Sequence, residues 1–156
     1  MAKEIRGSIK GEGLKIAVIV ASFNSFITNG LRQGAENGLV ENGVSDSDIT
    51  VIRCPGSFEI PFITQRCISK GLFDAVITLG AVIQGETDHY SYVCDAVTQG
   101  ITQISLKSPI PVIFGILTCQ NVELAQARAG DNRKNKGYEC ALAALEMADL
   151  IRQIES

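Results

Sequence analysis

The segment of residues 79–90, LGAVIQGETDHY, has the spacing of a phosphate-binding loop but not its charge. Gly80 and Gly85 are separated by four residues, and Thr87 occupies the position of the hydroxyl residue in such a loop. Glu86 occupies the position at which a nucleotide-binding loop has its lysine, and a glutamate cannot neutralise the phosphates of a nucleotide. The segment therefore does not predict a nucleoside triphosphate site.

The backbone of this segment still suits a single phosphate group. Gly85 allows a ligand to approach the main chain closely. The N–H groups of Glu86 and Thr87 open a predicted helix, and a helix N-terminus offers free donors and a partial positive charge. The same residues are equally compatible with a tight turn at Gly85 and a helix cap at Thr87. The local pattern leaves both interpretations open.

The only histidine, His89, lies in the first turn of that helix. A lone histidine is more often a surface or hydrogen-bonded residue than a catalyst. Its place beside a candidate anion site favours a role in proton transfer, because imidazole exchanges protons near neutral pH.

Other loops also carry side chains suited to binding. Phe23 directly follows an apolar run, so it either stacks on a flat ligand or folds back into the core. Glu59 begins a predicted helix, where it either favours the helix dipole or accepts hydrogen bonds from a polyol or heterocycle. The basic loop of residues 128–137 is typical of solvated surface. Within it, Arg128 is suited to a bidentate phosphate contact and Lys136 to a polar oxygen.

These residues must be positioned by alternating strands and helices. Four Val- and Ile-rich runs predict strands buried on both faces, at residues 15–20, 49–54, 74–79 and 111–117. Helical patterns cover residues 26–42, 58–70, 90–106, 121–128 and 138–154. The alternation predicts an α/β fold with a parallel sheet, which binds ligands beyond the carboxyl ends of its strands. We expect residues 1–13 to form an N-terminal arm outside the core and residues 14–156 to form a single domain.

Composition narrows the possible partners. The chain has 156 residues, a formal net charge of −3 and a pI near 5.2. This composition does not indicate the excess of positive charge that binds nucleic acid or an anionic membrane. Its start lacks the apolar region of a signal peptide, and no apolar run is long enough to span a bilayer. The five cysteines form no CxxC pair, so we expect free thiols in a reducing compartment, the cytoplasm. We expect neither a metal nor a cofactor.

Several stretches, in order, resemble the lumazine synthase family: VASFNSFIT, PGSFEIP, GAVIQGETDHYSYV, PVIFGILT, RAGDNRKNKG and ALAALEMA. The resemblance extends from about Gly7 to Ile151. It implies a flavodoxin-like sandwich whose four-stranded parallel sheet has the order 2-1-3-4. It also implies a transferase of riboflavin biosynthesis. Such an enzyme condenses 5-amino-6-(D-ribitylamino)uracil with 3,4-dihydroxy-2-butanone 4-phosphate to 6,7-dimethyl-8-ribityllumazine.

The resemblance also implies a role for each matching position. His89 would be the catalytic, proton-transferring residue. The residues that bind the aminouracil would be Phe23, Ser57, Phe58, Glu59, Ala81, Val82, Ile83, Phe114 and Lys136. The residues that bind the butanone phosphate would be Gly85, Glu86, Thr87 and Arg128. The chain departs from many family members at Ser22 and Gln84, where those members have arginine.

The resemblance implies homopentamers with sites between subunits, where Phe114 would close the pocket of a neighbour. Some family members assemble further into a sixty-subunit shell. Here Asn132 and Lys134 replace a usual glycine-containing turn, which favours the free pentamer.

The alternative function is a flavodoxin-like module that binds flavin or lumazine without turnover. A dinucleotide enzyme or a receiver-like domain fits less well, since the chain lacks a GxGxxG motif and has no acidic residue in SFN after the first run.

Overall fold

The computed structural model describes the whole chain, residues 1–156, and all four apolar runs are strands of one parallel sheet. The strands are β1 (Ile16–Ala21), β2 (Ile49–Cys54), β3 (Ala75–Ile83) and β4 (Val112–Cys119). The helices are α1 (Ser25–Glu41), α2 (Ile60–Lys70), α3 (His89–Lys107), α4 (Val122–Ala127) and α5 (Lys136–Glu155). Two single 3-10 turns cover Asp46–Asp48 and Ser57–Glu59. The α/β alternation that the sequence predicts is confirmed.

The order of the strands places a ligand crevice at the centre of the sheet. The order is β2-β1-β3-β4, so β2 and β4 are the two edges. In register, Ile16 of β1 lies opposite Ile49 of β2 and Ala75 of β3. Because the chain winds outward in opposite directions from β1 and β3, the crevice between their carboxyl ends is the switch point at which such folds bind ligands. The predicted flavodoxin-like order 2-1-3-4 is confirmed.

Helices cover both faces of the sheet. On one face α1 and α5 pack on the strands through side chains such as Ile27, Leu31 and Leu145, all fully buried. On the other face α2 and α3 contribute Ile60 and Val97 to a smaller core. Burying each such side chain stabilises the folded state by about 1.5–3 kcal/mol. None of the helices has the length and apolar character needed to cross a membrane.

Strand β3 is longer than the sequence indicates. The apolar run ends at Leu79, but the strand continues to Ile83, nine residues in all. The extension pairs with β4, with Gly80 opposite Ile116 and Ile83 opposite Cys119. The glycine that reads as the start of a loop is therefore inside the sheet. As a result, the loop between β3 and α3 contains only residues 84–88.

Local side-chain chemistry explains where several helices begin and end. Gly71 adopts a left-handed conformation, with φ 72, and closes α2. The side chain of Asn121 accepts the N–H of Leu124 and so caps α4. Asn135 caps α5 in the same way by accepting the N–H of Tyr138.

The N-terminal arm forms no helix or strand and runs along α5. The N–H of Ser8 donates to the carboxylate of Asp149 at 2.8 Å. The side-chain amide of Gln153 donates to the carbonyl oxygen of Arg6 at 2.6 Å. From residue 6 onward the arm is therefore held by its own chain.

All five cysteines are free thiols, and burial raises the pKa of each of them. The effect is largest for Cys54 and Cys140, whose pKa rises to about 11. The thiolate is the nucleophilic form of cysteine, so these two side chains are unreactive at neutral pH. They act as small apolar residues of the core.

Candidate active site

The loops that follow β1, β2 and β3 line an open cavity of ≈ 730 Å³ at the carboxyl edge of the sheet. This is the switch point described above, and the volume lies within the roughly 300–1,000 Å³ of small-molecule sites. The lining residues are Phe23, Asn24, Pro55, Gly56, Ser57, Phe58, Glu59, Ala81, Val82, Ile83, Gly85, Thr87, His89, Tyr90 and Val93. The structure thus brings together ten of the fourteen predicted site residues.

Phe23 presents an aromatic ring at the rim of the cavity. The residue is 72% exposed, so the interpretation in which it folds back into the core is wrong. Its backbone N–H donates to the carbonyl oxygen of Pro55 at 2.8 Å, and the N–H of Ser22 donates to that of Cys54 at 2.8 Å. These bonds tie the loop after β1 to the loop after β2. The exposed ring can stack on a planar ligand.

Ser57 and Phe58 have opposite environments at the start of the 3-10 turn. Ser57 is buried against β3, where its hydroxyl fills the space beside Gly80; a Cβ on that glycine would collide with it. Phe58 is 61% exposed and faces the cavity. The glycine in β3 therefore serves to seat the loop that carries Phe58.

Glu59 brings a carboxylate to the same side of the cavity as the ring of Phe23. An ideal Cβ on Gly56 would lie 3.2 Å from Glu59 Oε1 and 3.9 Å from Phe23 Cβ, so both side chains flank this glycine. The carboxylate makes no capping hydrogen bond to α2, which leaves it free to accept hydrogen bonds from a ligand. Its negative charge, after burial, is the second cause of the raised pKa of Cys54.

The loop between β3 and α3 carries free hydrogen-bond donors. The N–H groups of residues 85–88 donate to no acceptor within the chain. Directly before them, the N–H of Gln84 donates to the carbonyl oxygen of Cys119 at 2.9 Å and ends the pairing of β3 with β4. Four free donors at the N-terminus of a 19-residue helix are an arrangement that can bind an anion, and the phosphate site stays a prediction.

The conformation of this loop bears on why it contains Gly85. The residue does not have a positive φ, and a Cβ added to it would meet nothing within 4 Å. Nothing in the chain's own conformation therefore requires glycine there, and space for a ligand is the remaining physical reason. The hydroxyl of Thr87 accepts the N–H of His89 at 3.3 Å, a long bond that agrees in part with a capping role.

His89 is the first residue of α3 and lines the cavity together with Gly85 and Thr87. It is exposed, and its imidazole makes no hydrogen bond or ion pair within the chain. The imidazole is therefore free to exchange protons with a ligand. Glu86 lies in the same loop but does not line the cavity.

The end of β3 supplies an apolar wall through Ala81, Val82 and Ile83. Five further lining residues were not singled out from the sequence as site residues: Asn24, Pro55, Gly56, Tyr90 and Val93. For Val93 a signal exists, because a residue four positions after His89 lies on the same face of a helix. Tyr90 follows His89 in the first turn of α3. Asn24, Pro55 and Gly56 line the cavity through loop geometry, for which the local sequence carries no such signal.

Phe114, Arg128 and Lys136 do not line this cavity. Phe114 lies on the edge strand β4 and is 37% exposed. Arg128 donates to the carbonyl oxygen of Lys134 at 2.8 Å and forms an ion pair of 2.6 Å with Glu139. The ammonium group of Lys136 lies 3.8 Å from the same carboxylate. All three predicted residues are thus at the β4 edge and the α4–α5 junction rather than at the switch point.

The cavity lacks the positively charged side chains that would pair with a phosphate ligand. Glu59 and His89 are the only Asp, Glu, His, Lys or Arg side chains among the lining residues. One chain by itself therefore supplies backbone donors for an anion but no Lys or Arg side chain.

The sheet order and the cavity at its switch point define a flavodoxin-like α/β protein with a cavity of small-molecule size in the crevice between β1 and β3. Residues 13–152 match the family model described as 6,7-dimethyl-8-ribityllumazine synthase, and the chain therefore belongs to this family. The resemblance found in the sequence is confirmed. The chain is a transferase of riboflavin biosynthesis that forms 6,7-dimethyl-8-ribityllumazine from the aminouracil and the butanone phosphate.

Proposed function

We propose that the cavity at the carboxyl edge is the active site for this condensation and that it holds the two substrates side by side. One observation carries the proposal: the exposed ring of Phe23 lines the same cavity as Gly85 and Thr87, whose N–H groups have no acceptor within the chain. A ring that stacks suits the flat aminouracil, and a helix N-terminus suits the phosphate. Each feature matches one of the two substrates.

In the first half of the site, Phe23 stacks on the pyrimidine ring. Ala81, Val82 and Ile83 lie along the ring's other side as the apolar wall of β3. The ribityl chain and the ring edge need hydrogen-bond partners. The 3-10 turn of Ser57, Phe58 and Glu59 supplies them. Glu59 fits this role because its carboxylate is next to Phe23 and is not used by the helix.

In the second half, Gly85, Glu86 and Thr87 bind the phosphate through their backbone. The absence of a clash around Gly85 supports this role, since the phosphate can contact the main chain there. The loop holds one phosphate and no metal-bound nucleotide, so the lysine of a nucleotide loop is not needed.

His89 transfers protons in a reaction that depends mainly on proximity. The amine of the aminouracil adds to the ketone carbonyl, and water leaves to give an imine. Loss of inorganic phosphate and a second dehydration then close the new ring. An amine and a ketone held in contact react readily, so positioning contributes most and acid–base catalysis adds a smaller factor. The free imidazole at the phosphate loop is placed for that factor.

We further propose that a second copy of the chain completes each site. Phe114, Arg128 and Lys136 are outside the cavity of their own chain, and that cavity has no Lys or Arg side chain of its own. The neutral Ser22 and Gln84 supply no cation in place of the arginines of other members. Arg128 of a neighbour would provide the missing positive charge, with Phe114 closing the aminouracil half and Lys136 as a polar contact.

A head-to-tail contact between cavity and β4 edge closes into a ring, for which we propose five subunits. The α4–α5 loop bears on further assembly. No residue of this loop, whether Gly130, Asn132 or Lys134, adopts a positive φ. A glycine-dependent bend of the kind associated with shell contacts is therefore missing, and we infer a free pentamer rather than a sixty-subunit shell.

The cytoplasm is the compartment that we propose for the enzyme. Its five cysteines are unpaired, and three of them are buried in the core. Such thiols persist where glutathione and thioredoxin keep proteins reduced.

The test combines turnover with binding. Incubation with both substrates should produce the absorbance and fluorescence of lumazine together with inorganic phosphate. Phe23→Ala should weaken aminouracil binding, whereas the matched change Phe26→Ala should not, because Phe26 is 59% exposed but does not line the cavity. Equal effects of the two substitutions would contradict the site assignment.

A further inference from the structure

Asn24, directly after Phe23, has an unusual backbone conformation. It is the only non-glycine residue of the chain with a positive φ, at φ 62 and ψ 42. Asparagine tolerates this left-handed region better than most residues, but it is still uncommon there. Conformations of this kind persist where the surrounding structure holds them.

The contacts of Asn24 connect three parts of the site. Its side-chain N–H donates to the carbonyl oxygen of Ala81 in β3 at 2.8 Å. Its own carbonyl oxygen accepts the N–H groups of Ile27 and Thr28, at 2.9 and 3.0 Å, and so starts α1. Phe23, one residue earlier, is tied to Pro55 through its backbone. The loop that carries the aromatic ring is therefore held from both sides, toward β2 and toward β3.

A simple helix-capping role does not explain this arrangement. Asparagine is among the preferred residues at the start of a helix, where its side chain accepts a backbone N–H of the first turn. Asn24 occupies that position in α1 but makes no such side-chain bond. Its amide instead reaches the end of another strand, 57 residues away in the sequence. The local preference is replaced by a bond across the cavity.

We propose that Asn24 is a positioning residue for the aminouracil. It sets the separation between the ring of Phe23 and the apolar wall that begins at Ala81. The gap between ring and wall therefore has the width that the aminouracil needs before the substrate binds. The proposal rests on the stacking role of Phe23 proposed above. Without the bond, the Phe23 loop samples other orientations, and the apparent affinity falls in proportion to the competent fraction. The phosphate loop does not depend on this bond.

Two substitutions separate the bond from the backbone conformation. Asn24→Gly keeps access to the positive φ and removes the amide. Asn24→Asp keeps the size and a tolerance of the left-handed region but replaces the N–H donor with an acceptor facing the carbonyl of Ala81. The matched control is Asn42→Ala, which removes a side-chain bond of 2.7 Å to Gly38 at the other end of α1.

Calorimetry with the aminouracil alone and with inorganic phosphate alone tests the proposal. Both Asn24 variants should raise the Kd for the aminouracil about three- to tenfold, the loss expected for one hydrogen bond. The Kd for phosphate should change less than about twofold, and saturating substrate should restore kcat. Asn42→Ala should change neither constant. If Asn24→Gly does not fold, the Kd of Asn24→Asp for the aminouracil decides whether the bond to Ala81 positions the Phe23 loop.

An unchanged aminouracil Kd in a folded Asn24 variant would overturn the proposal, as would equal weakening of both ligands. A parallel titration of Phe23→Ala distinguishes the positioning role of Asn24 from the stacking role of Phe23. If Phe23→Ala weakens aminouracil binding and the Asn24 variants do not, only the positioning role is wrong. If Phe23→Ala has no effect, the stacking role itself is wrong.

Discussion

The imidazole of His89 makes no hydrogen bond or ion pair within the chain that its removal would break, so one substitution isolates its contribution to catalysis. We expect His89→Ala to lower kcat by no more than roughly 10²-fold, the lower end for an acid–base residue. The Kd values of both substrates should stay nearly unchanged, because in our proposal the ring of Phe23 and the backbone donors, not His89, bind them. Rapid-mixing kinetics of lumazine formation measures the effect. Complete loss of turnover in a folded variant would show that proximity is not the main contribution.

Thr64 in α2 has a buried hydroxyl without a hydrogen-bond partner. Thr64→Val keeps the shape and removes the unsatisfied group, so it should raise the free energy of unfolding by about 1 kcal/mol. Thr78 is the matched control, equally buried but donating to the carbonyl oxygen of Ile113 at 2.8 Å. Thr78→Val should lower the free energy of unfolding by a similar amount. Denaturant unfolding of both variants checks the opposite signs, and equal signs would contradict this reading of the two sites.

The strands and helices show which features the local sequence determines. Period and composition predicted all four strands and all five helices, because each strand is an apolar run rich in Val and Ile and each helix has an apolar stripe. Burial on both faces is confirmed for the central strands β1 and β3 but is wrong for the edge strands β2 and β4, which are only partly buried. The length of β3 could not be predicted, since Gly80 reads as a loop residue and only pairing with β4 keeps it in the sheet. Strand pairing is a contact between distant residues, which no local pattern reports.

The same distinction applies to the cavity. The ring of Phe23 and the donors after Gly85 were predictable because they directly follow buried strands, whose carboxyl ends meet. The bond from Asn24 to Ala81 was not, because it joins two strand ends across the switch point. The roles of Phe114 and Arg128 rest on the family resemblance, and the structure of one chain leaves them as predictions.

The junction of α4 and α5 holds Arg128 in a fixed place through Glu139 and the carbonyl oxygen of Lys134. We expect Arg128→Ala to raise KM for the butanone phosphate about 10- to 100-fold, the loss of a charge-assisted contact worth about 1.5–3 kcal/mol. Affinity for the aminouracil should be spared. Arg32→Ala is the control, since Arg32 also forms an ion pair, with Glu36, on a surface away from the cavity. Equal weakening of both substrates by Arg128→Ala would argue against a phosphate role.

The assembly that we propose for the whole molecule would supply the positive charge that the cavity of one chain lacks. A ring of five chains, each of 16.7 kDa, should appear by light scattering of dilute, pure protein as one species of five times that mass. A megadalton particle would overturn the inference of a free pentamer. A fully active monomer would contradict the shared site.

Mixed oligomers test the shared active site most directly. One chain carries Phe23→Ala and His89→Ala, which disable its own cavity, and the other carries Arg128→Ala, which disables the contribution to a neighbour. After co-expression with random mixing, about a quarter of the sites combine an intact cavity with an intact Arg128 of the adjacent chain. We predict that the activity of the mixture, with the butanone phosphate below its KM, exceeds the mean of the two parent oligomers and approaches a quarter of the unsubstituted activity. Activity equal to that mean would contradict the account, since it would place the cavity and the arginine it needs in the same chain.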